Sequence, residues 1–159
     1  MNLKSIIQSN LILLVMFVHP CIASSEINTA NLIGTWSSTE INESDYYISI
    51  VTYTSDGKKC TLGSSYSGNK SSEESIFISK WKVVGKQLDI KIVKSSTDLL
   101  IPGETISSQL ISLTEKKLET RLYPSAFYIA PIETYLKISN TPDKRICSTA
   151  ERILKLKNI

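Results

Sequence analysis

The chain lacks most of the residues from which catalytic sites are built. Among its 159 residues there is one histidine, His19, and it lies in an apolar leader. With the leader removed no imidazole remains, which excludes Ser-His and Cys-His nucleophile pairs and imidazole metal ligands. Cysteine is scarce, with Cys21 in the leader and only Cys60 and Cys147 beyond it. Two cysteines alone do not make a zinc site. The six glycines form no phosphate-cradling loop, and no stretch fits a calcium-binding loop. A long hydrophobic run is also missing, because Leu11 to Val18 is far too short to span a bilayer. Charge of one sign is not in excess: 18 basic residues stand against 15 acidic ones. That balance gives no argument for nucleic acid or an anionic membrane as partner. The expectation is no catalytic residue, no metal and no cofactor.

What is present begins with an address. Lys4, the apolar run and then His19-Pro20-Cys21-Ile22-Ala23 read as a secretory signal peptide over residues 1–23. Cys21 and Ala23 put small residues at the two positions a signal peptidase reads, so cleavage is expected after Ala23. The alternative is a lipoprotein anchored through Cys21, but Val18-His19-Pro20 are not the small residues such a site prefers. Removing 23 of 159 residues leaves 136, enough for one domain with a core and no transmembrane segment. Losing Lys4 takes the net charge from +3 to +2. The mature protein is expected to be a secreted or periplasmic monomer. In such a compartment Cys60 and Cys147 most simply form one disulfide, the rival being two buried thiols.

Strand signals dominate the mature chain. Asp45 to Thr54, "DYYISIVTYT", is rich in β-branched and aromatic residues. An Asp56-Gly57 pair follows and predicts a hairpin turn with positive φ at both residues. The partner strand is Lys59 to Tyr66, where Gly63 suggests a bend or bulge. Ser67 to Glu74 reads as a polar loop. Ser75 to Val84 and Gln87 to Val93 flank a Gly85-Lys86 turn, and Leu88, Ile90 and Ile92 alternate with Asp89 and Lys91. Glu104 to Leu113 breaks phase between Ile106/Leu110 and Ile111/Leu113, which predicts a bulge. Leu118 to Tyr123 alternates again, and Ile132 to Ile138 puts Ile132, Thr134, Leu136 and Ile138 on one face.

With the strand around Trp36 these are eight sequential segments joined mostly by short turns. The fold class is all-β, an eight-stranded antiparallel up-and-down barrel over residues 24–140, whose closure removes exposed edges. Residues 141–159 differ. Thr141 suits an N-cap and Pro142 the first helical position, and Ile146, Ala150, Ile153 and Leu154 recur at helical spacing. They predict a C-terminal α-helix packed on the barrel, with Lys144, Arg145, Arg152, Lys155 and Lys157 on its wet face.

Three elements taken together resemble the lipocalin superfamily, and more closely its small bacterial lipocalin-like domains. They are Gly34-Thr35-Trp36 on the first strand, the Asp56-Gly57 hairpin, and Trp81-Lys82-Val83-Val84-Gly85-Lys86-Gln87-Leu88 across a strand pair. The resemblance implies a secreted barrel that holds a small ligand without catalysing a reaction. It also implies an arginine from a late strand lying across the first tryptophan; the nearest candidate here is a lysine, Lys137, two residues after Tyr135. Gly34, Trp36, Trp81, Tyr135 and Lys137 are accordingly expected to be structural. The late helix and the Cys60/Cys147 pair fit the same pattern.

Two connections are unusually apolar: Leu99, Leu100 and Ile101 in "DLLIPG", and Phe127, Tyr128 and Ile129 in "YPSAFYIAP". Apolar loops at a barrel mouth are candidates to gate a cavity or to meet a partner. The leading expectation is a non-enzymatic binding protein for a small apolar ligand. The alternative is a periplasmic protein-binding module, an inhibitor, immunity or assembly factor, that uses these loops at one barrel end.

Overall fold

A computed structural model describes residues 27–42, 45–68, 70–123 and 130–159. The strands are β1 Gly34–Asn42, β2 Asp45–Tyr53, β3 Lys58–Ser67, β4 Lys70–Val84, β5 Gln87–Ser95, β6 Thr105–Leu113, β7 Lys117–Leu122 and β8 Glu133–Ser139. Each pairs antiparallel with the next, and β8 returns to β1 to close an up-and-down barrel in sequence order. One helix, α1 Lys144–Leu156, follows β8. The predicted leader lies outside the described residues. Among those residues no helix is long and apolar enough to cross a membrane.

Period-two alternation splits the apolar residues into an inner and an outer core. Leu88, Ile90 and Ile92 of β5 point inward, with Trp36, Val51, Leu110 and Leu118. Trp36 is fully buried and its indole N–H donates to the Leu32 carbonyl at 2.8 Å. Leu32 ends a short 3-10 helix, Thr29–Leu32, that packs across this end of the barrel. Lys137 pairs with Trp36 across the β1–β8 seam, and its Nζ lies 4.7 Å from the indole centroid. The same Nζ donates to the carbonyls of Asn31 and Ile33 at 2.7 and 3.0 Å. The 3-10 helix is thereby tied to the last strand, and this end of the barrel is closed.

The outer core sits where α1 covers β3 and β4. Ile146, Ala150 and Leu154 pack on Cys60, Ile76 and Ile78. Cys60 and Cys147 are bonded, with Cα atoms 5.2 Å apart. The helix begins two residues later than Thr141 suggests. Asp143 is the N-cap and accepts from the Arg145 N–H at 2.9 Å, because its carboxylate reaches the free donors of the first turn. Thr141 and Pro142 instead lead in, and the Thr35 hydroxyl bonds the Thr141 carbonyl and the Asp143 N–H.

Other local expectations change in detail. The β6 bulge is present, as a register shift between Leu110 and Ser112 against β7. At Asp56-Gly57 only Gly57 adopts positive φ, at 82°. The Thr54 hydroxyl accepts from the Lys58 N–H and closes the loop instead. Gly63 marks no bend: a Cβ there would lie 2.0 Å from the Tyr47 hydroxyl, so glycine makes room for that ring. The predicted loop 67–74 is largely strand, because the β3–β4 ladder continues to Ser67↔Lys70. In β8 the apolar set faces outward, with Leu136 and Ile138 each 58 % exposed, while Glu133, Tyr135 and Lys137 face in.

Trp36→Ala is expected to cost about 3–5 kcal/mol, the usual range for emptying a large aromatic site in a core; urea denaturation measures it. Replacing both bonded cysteines by alanine releases an 87-residue loop, for an expected loss of about 4–5 kcal/mol on the chain-entropy model. The same titration checks that value.

Candidate functional site

The barrel interior is not filled above its closed end. Inward positions that would carry large side chains in a solid core hold small ones: Ser38, Ser49, Thr61, Ser108 and Thr120. They leave a cavity of about 310 Å³. Ligand pockets span roughly 300–1,000 Å³, so this one suits a small molecule rather than a large lipid. Its apolar wall comes from Leu88 and Ile90 of β5, Ile106 of β6 and Phe77 of β4.

The polar groups are unevenly placed along the barrel. Lys59, the second residue of β3, lies toward the end closed by the 54–57 turn. It is only 8 % exposed. Its Nζ stands 5.5 Å from the Tyr53 ring centroid and 5.2 Å from that of Phe77. These ring faces attract the cation, though each is worth far less than a carboxylate partner. Among the described residues no acidic side chain forms an ion pair with it and no group hydrogen-bonds it. Burial therefore lowers its pKa from 10.5 to about 8, against a smaller opposite pull from Glu133. Two residues along the same face, the Thr61 hydroxyl is fully buried and lacks a hydrogen-bond partner.

The acidic groups and the Tyr47 phenol gather toward the other end. Glu133 is the first residue of β8, and its Oε2 accepts from the Tyr135 hydroxyl at 3.1 Å and weakly from Thr120 at 3.5 Å. Glu40, near the end of β1, has its pKa raised by burial and by the nearby Glu133 charge. Glu40 is nevertheless solvent-exposed. Tyr47 bonds Ser75 at 2.7 Å. Burial pushes the phenols of Tyr47, Tyr53 and Tyr135 above their ordinary value, so they stay neutral well past pH 7.

The apolar connection between β5 and β6 is divided by the structure. Leu100 turns into the cavity lining, whereas Leu99 and Ile101 are 87 % and 53 % exposed. Leu99 and Leu100 also border a shallower hollow with Tyr47 and Phe77. Phe127, Tyr128 and Ile129 lie outside the described residues. Sequence reasoning missed Lys59, Thr61 and Glu133. A signal for the first two was present: if Cys60 faces a helix outside the barrel, its neighbours Lys59 and Thr61 must face in.

The arrangement can bind but shows no activated nucleophile among the described residues. The Tyr135 and Thr120 hydroxyls are held by Glu133, and the lining carboxylates Glu40 and Glu133 lie together toward one end. No known protein-family profile matches the chain, and no curated protein does. Among solved structures, a lipocalin-like protein from Bacteroides uniformis ATCC 8492 aligns at 15 % identity over 68 % of this chain and 99 % of that one, with a TM-score of 0.37.

Lys59 makes a stability prediction. The folded state gives up the Lys59 proton at about 8 and an unfolded lysine near 10.5, a difference of roughly 3 kcal/mol. Between those values the unfolded chain binds more protons, so stability rises with pH across that window. Lys59→Met is expected to be up to about 3 kcal/mol more stable than the wild type at pH 7. The advantage should shrink as pH rises from 8 to 10. Urea midpoints at pH 7 and pH 10 test both points, and a destabilised variant at pH 7 would contradict them.

Proposed function

We propose that this protein is a non-enzymatic binding barrel that holds one small, largely apolar ligand in its interior. The observation that carries the reading is the cavity of about 310 Å³, walled by Leu88, Ile90 and Ile106 and closed below by Trp36 and the 3-10 helix. An eight-stranded barrel either fills its interior with side chains or leaves room for a ligand, and this one leaves room. Leu100 lines the cavity from the β5–β6 connection and is the natural gate residue at the mouth. Leu99 and Ile101 beside it are the outward part of the same loop, and Phe127, Tyr128 and Ile129 are proposed as further contacts. We place the protein in a secreted or periplasmic compartment, on the leader in its sequence and on a disulfide that would not persist in a reducing cytosol.

A protein-binding role is the second reading, favoured by the exposure of Leu99 at 87 %. A Leu99→Ala/Ile101→Ala variant would lose captured partners under that reading and keep small-ligand binding.

The test of the main reading uses the neutral fluorophore N-phenyl-1-naphthylamine. The wild type is expected to give a saturable rise in emission, competed by apolar ligands extracted from its own host. Ser108→Phe places a ring in the cavity and should weaken binding at least tenfold while the protein stays folded by circular dichroism. Unchanged binding in that variant would move the site out of the barrel.

A further inference from the structure

We propose that Lys59 and Thr61 form a head-group subsite at the inner end of the cavity, and that the ligand is an amphipathic monocarboxylate seated with its carboxylate inward. This rests on the reading of the barrel interior as the ligand site. Two independent observations point to an absent acceptor. The Lys59 side chain is more than nine-tenths buried, lines the cavity and meets only ring faces. The Thr61 hydroxyl on the same face is buried without a partner. Buried polar atoms in native proteins nearly always have partners, and an unpartnered hydroxyl two residues along the strand from a buried ammonium, both at the cavity wall, is accounted for by one acceptor between them.

The alternative partner already in the barrel is engaged elsewhere. Glu133 Oε2 accepts from Tyr135 and Thr120, and Glu133 forms no ion pair with Lys59. The Lys59 counter-charge is therefore open to a ligand, and an ion pair formed in so dry a site is strong because water does not screen it. Glu40 and Glu133 toward the mouth repel an anion left there, which orients the head group inward. The same two carboxylates select against a dianion. One ammonium matches one negative charge, whereas a phosphate monoester would bring a second charge with nothing to balance it. The ligand's hydrocarbon part then runs along Ile90 and Ile106 toward Leu100.

The groups facing Lys59 fix its pH response. Tyr53 on β2 stays protonated because burial raises it, Phe77 on β4 does not titrate, and Glu133 on β8 carries the nearby acidic charge. In the free protein Lys59 loses its proton at about pH 8. Carboxylate affinity should therefore fall as pH rises above 8, while a neutral ligand is unaffected.

The experiment compares decanoate, 1-decanol and decyl phosphate by displacement of N-phenyl-1-naphthylamine, in the wild type, Lys59→Met and Thr61→Val. Wild type is expected to bind decanoate at least tenfold more tightly than decanol at pH 7, with decyl phosphate weaker than decanoate. Lys59→Met should abolish the preference without weakening decanol, and Thr61→Val should reduce it several-fold. Equal binding of decanoate and decanol by the wild type, or a preference that survives Lys59→Met, overturns the subsite and leaves the cavity reading standing. Decyl phosphate binding more tightly than decanoate overturns the carboxylate assignment. If the wild type binds neither the fluorophore nor any of the three probes, both readings fall.

Discussion

In a closed barrel every strand residue faces either the lumen or the outside, and a single fixed point settles the parity of its strand. For β3 that point is Cys60. Its disulfide to Cys147 requires it to face α1, and with it on the outer wall go Ile76 and Ile78 of the next strand. Lys59 and Thr61 are then committed to the lumen whatever their polarity. The bond that fastens the helix to the barrel thus also fixes the chemistry of the interior. A one-residue slip of β3 would move Lys59 into water and a half-cystine into the cavity. The paired positions Tyr53↔Lys59 and Thr61↔Phe77 hold that register on both sides.

Two inward-facing lysines show what separates an architectural charge from a functional one. Lys137 has the Trp36 ring and two backbone carbonyls, so its donors are used in closing the base. Lys59 has two rings and, among the described residues, no acceptor. Hydrogen bonds to a charged group stabilise by more than a contact with a ring quadrupole does in the same place. The first lysine is therefore part of the scaffold, and the second is an unbalanced cost in the empty protein. Arginine at position 137 would offer a planar fork, but the compact ammonium already reaches the carbonyls of Asn31 in the 3-10 helix and Ile33 just after it.

Much of the architecture was legible because it is local. The alternation of Leu88, Ile90 and Ile92, the phase break before Ile111 and the spacing of Ile146, Ala150 and Leu154 each report one element directly. The site was less legible because it depends on which face is inside. In β8 the alternation sets Leu136 and Ile138 on one face without saying which way it points, and pairing of Lys137 with Trp36 turns that face outward and brings Glu133 and Tyr135 in. Hydrophobic pattern assigns a strand's faces only when one is clearly polar, and here both carry apolar groups. Gly63 was ambiguous for a related reason. Its need is set by Tyr47 on the neighbouring strand, which spacing along one strand does not reveal. The polar run after Ser67 pairs on as strand because the hairpin ladder continues past the point where composition suggests a loop.

The interior also bears on why the barrel is built this way. A barrel selected only for stability would fill the lumen with branched aliphatic side chains, as it does around Trp36 and Leu118. Above that layer the chain places serine, threonine and a lysine, each of which gives up packing or desolvation energy that an apolar residue would supply. Such departures, grouped around one cavity, are the expected mark of a site where stability yields to binding. The disulfide and the outer core under α1 offset the loss from the other side of the same strand. The outer core under α1 holds β3 and β4 from outside, and the inner face of β3 is left free to carry a cation that a bound anion would complete.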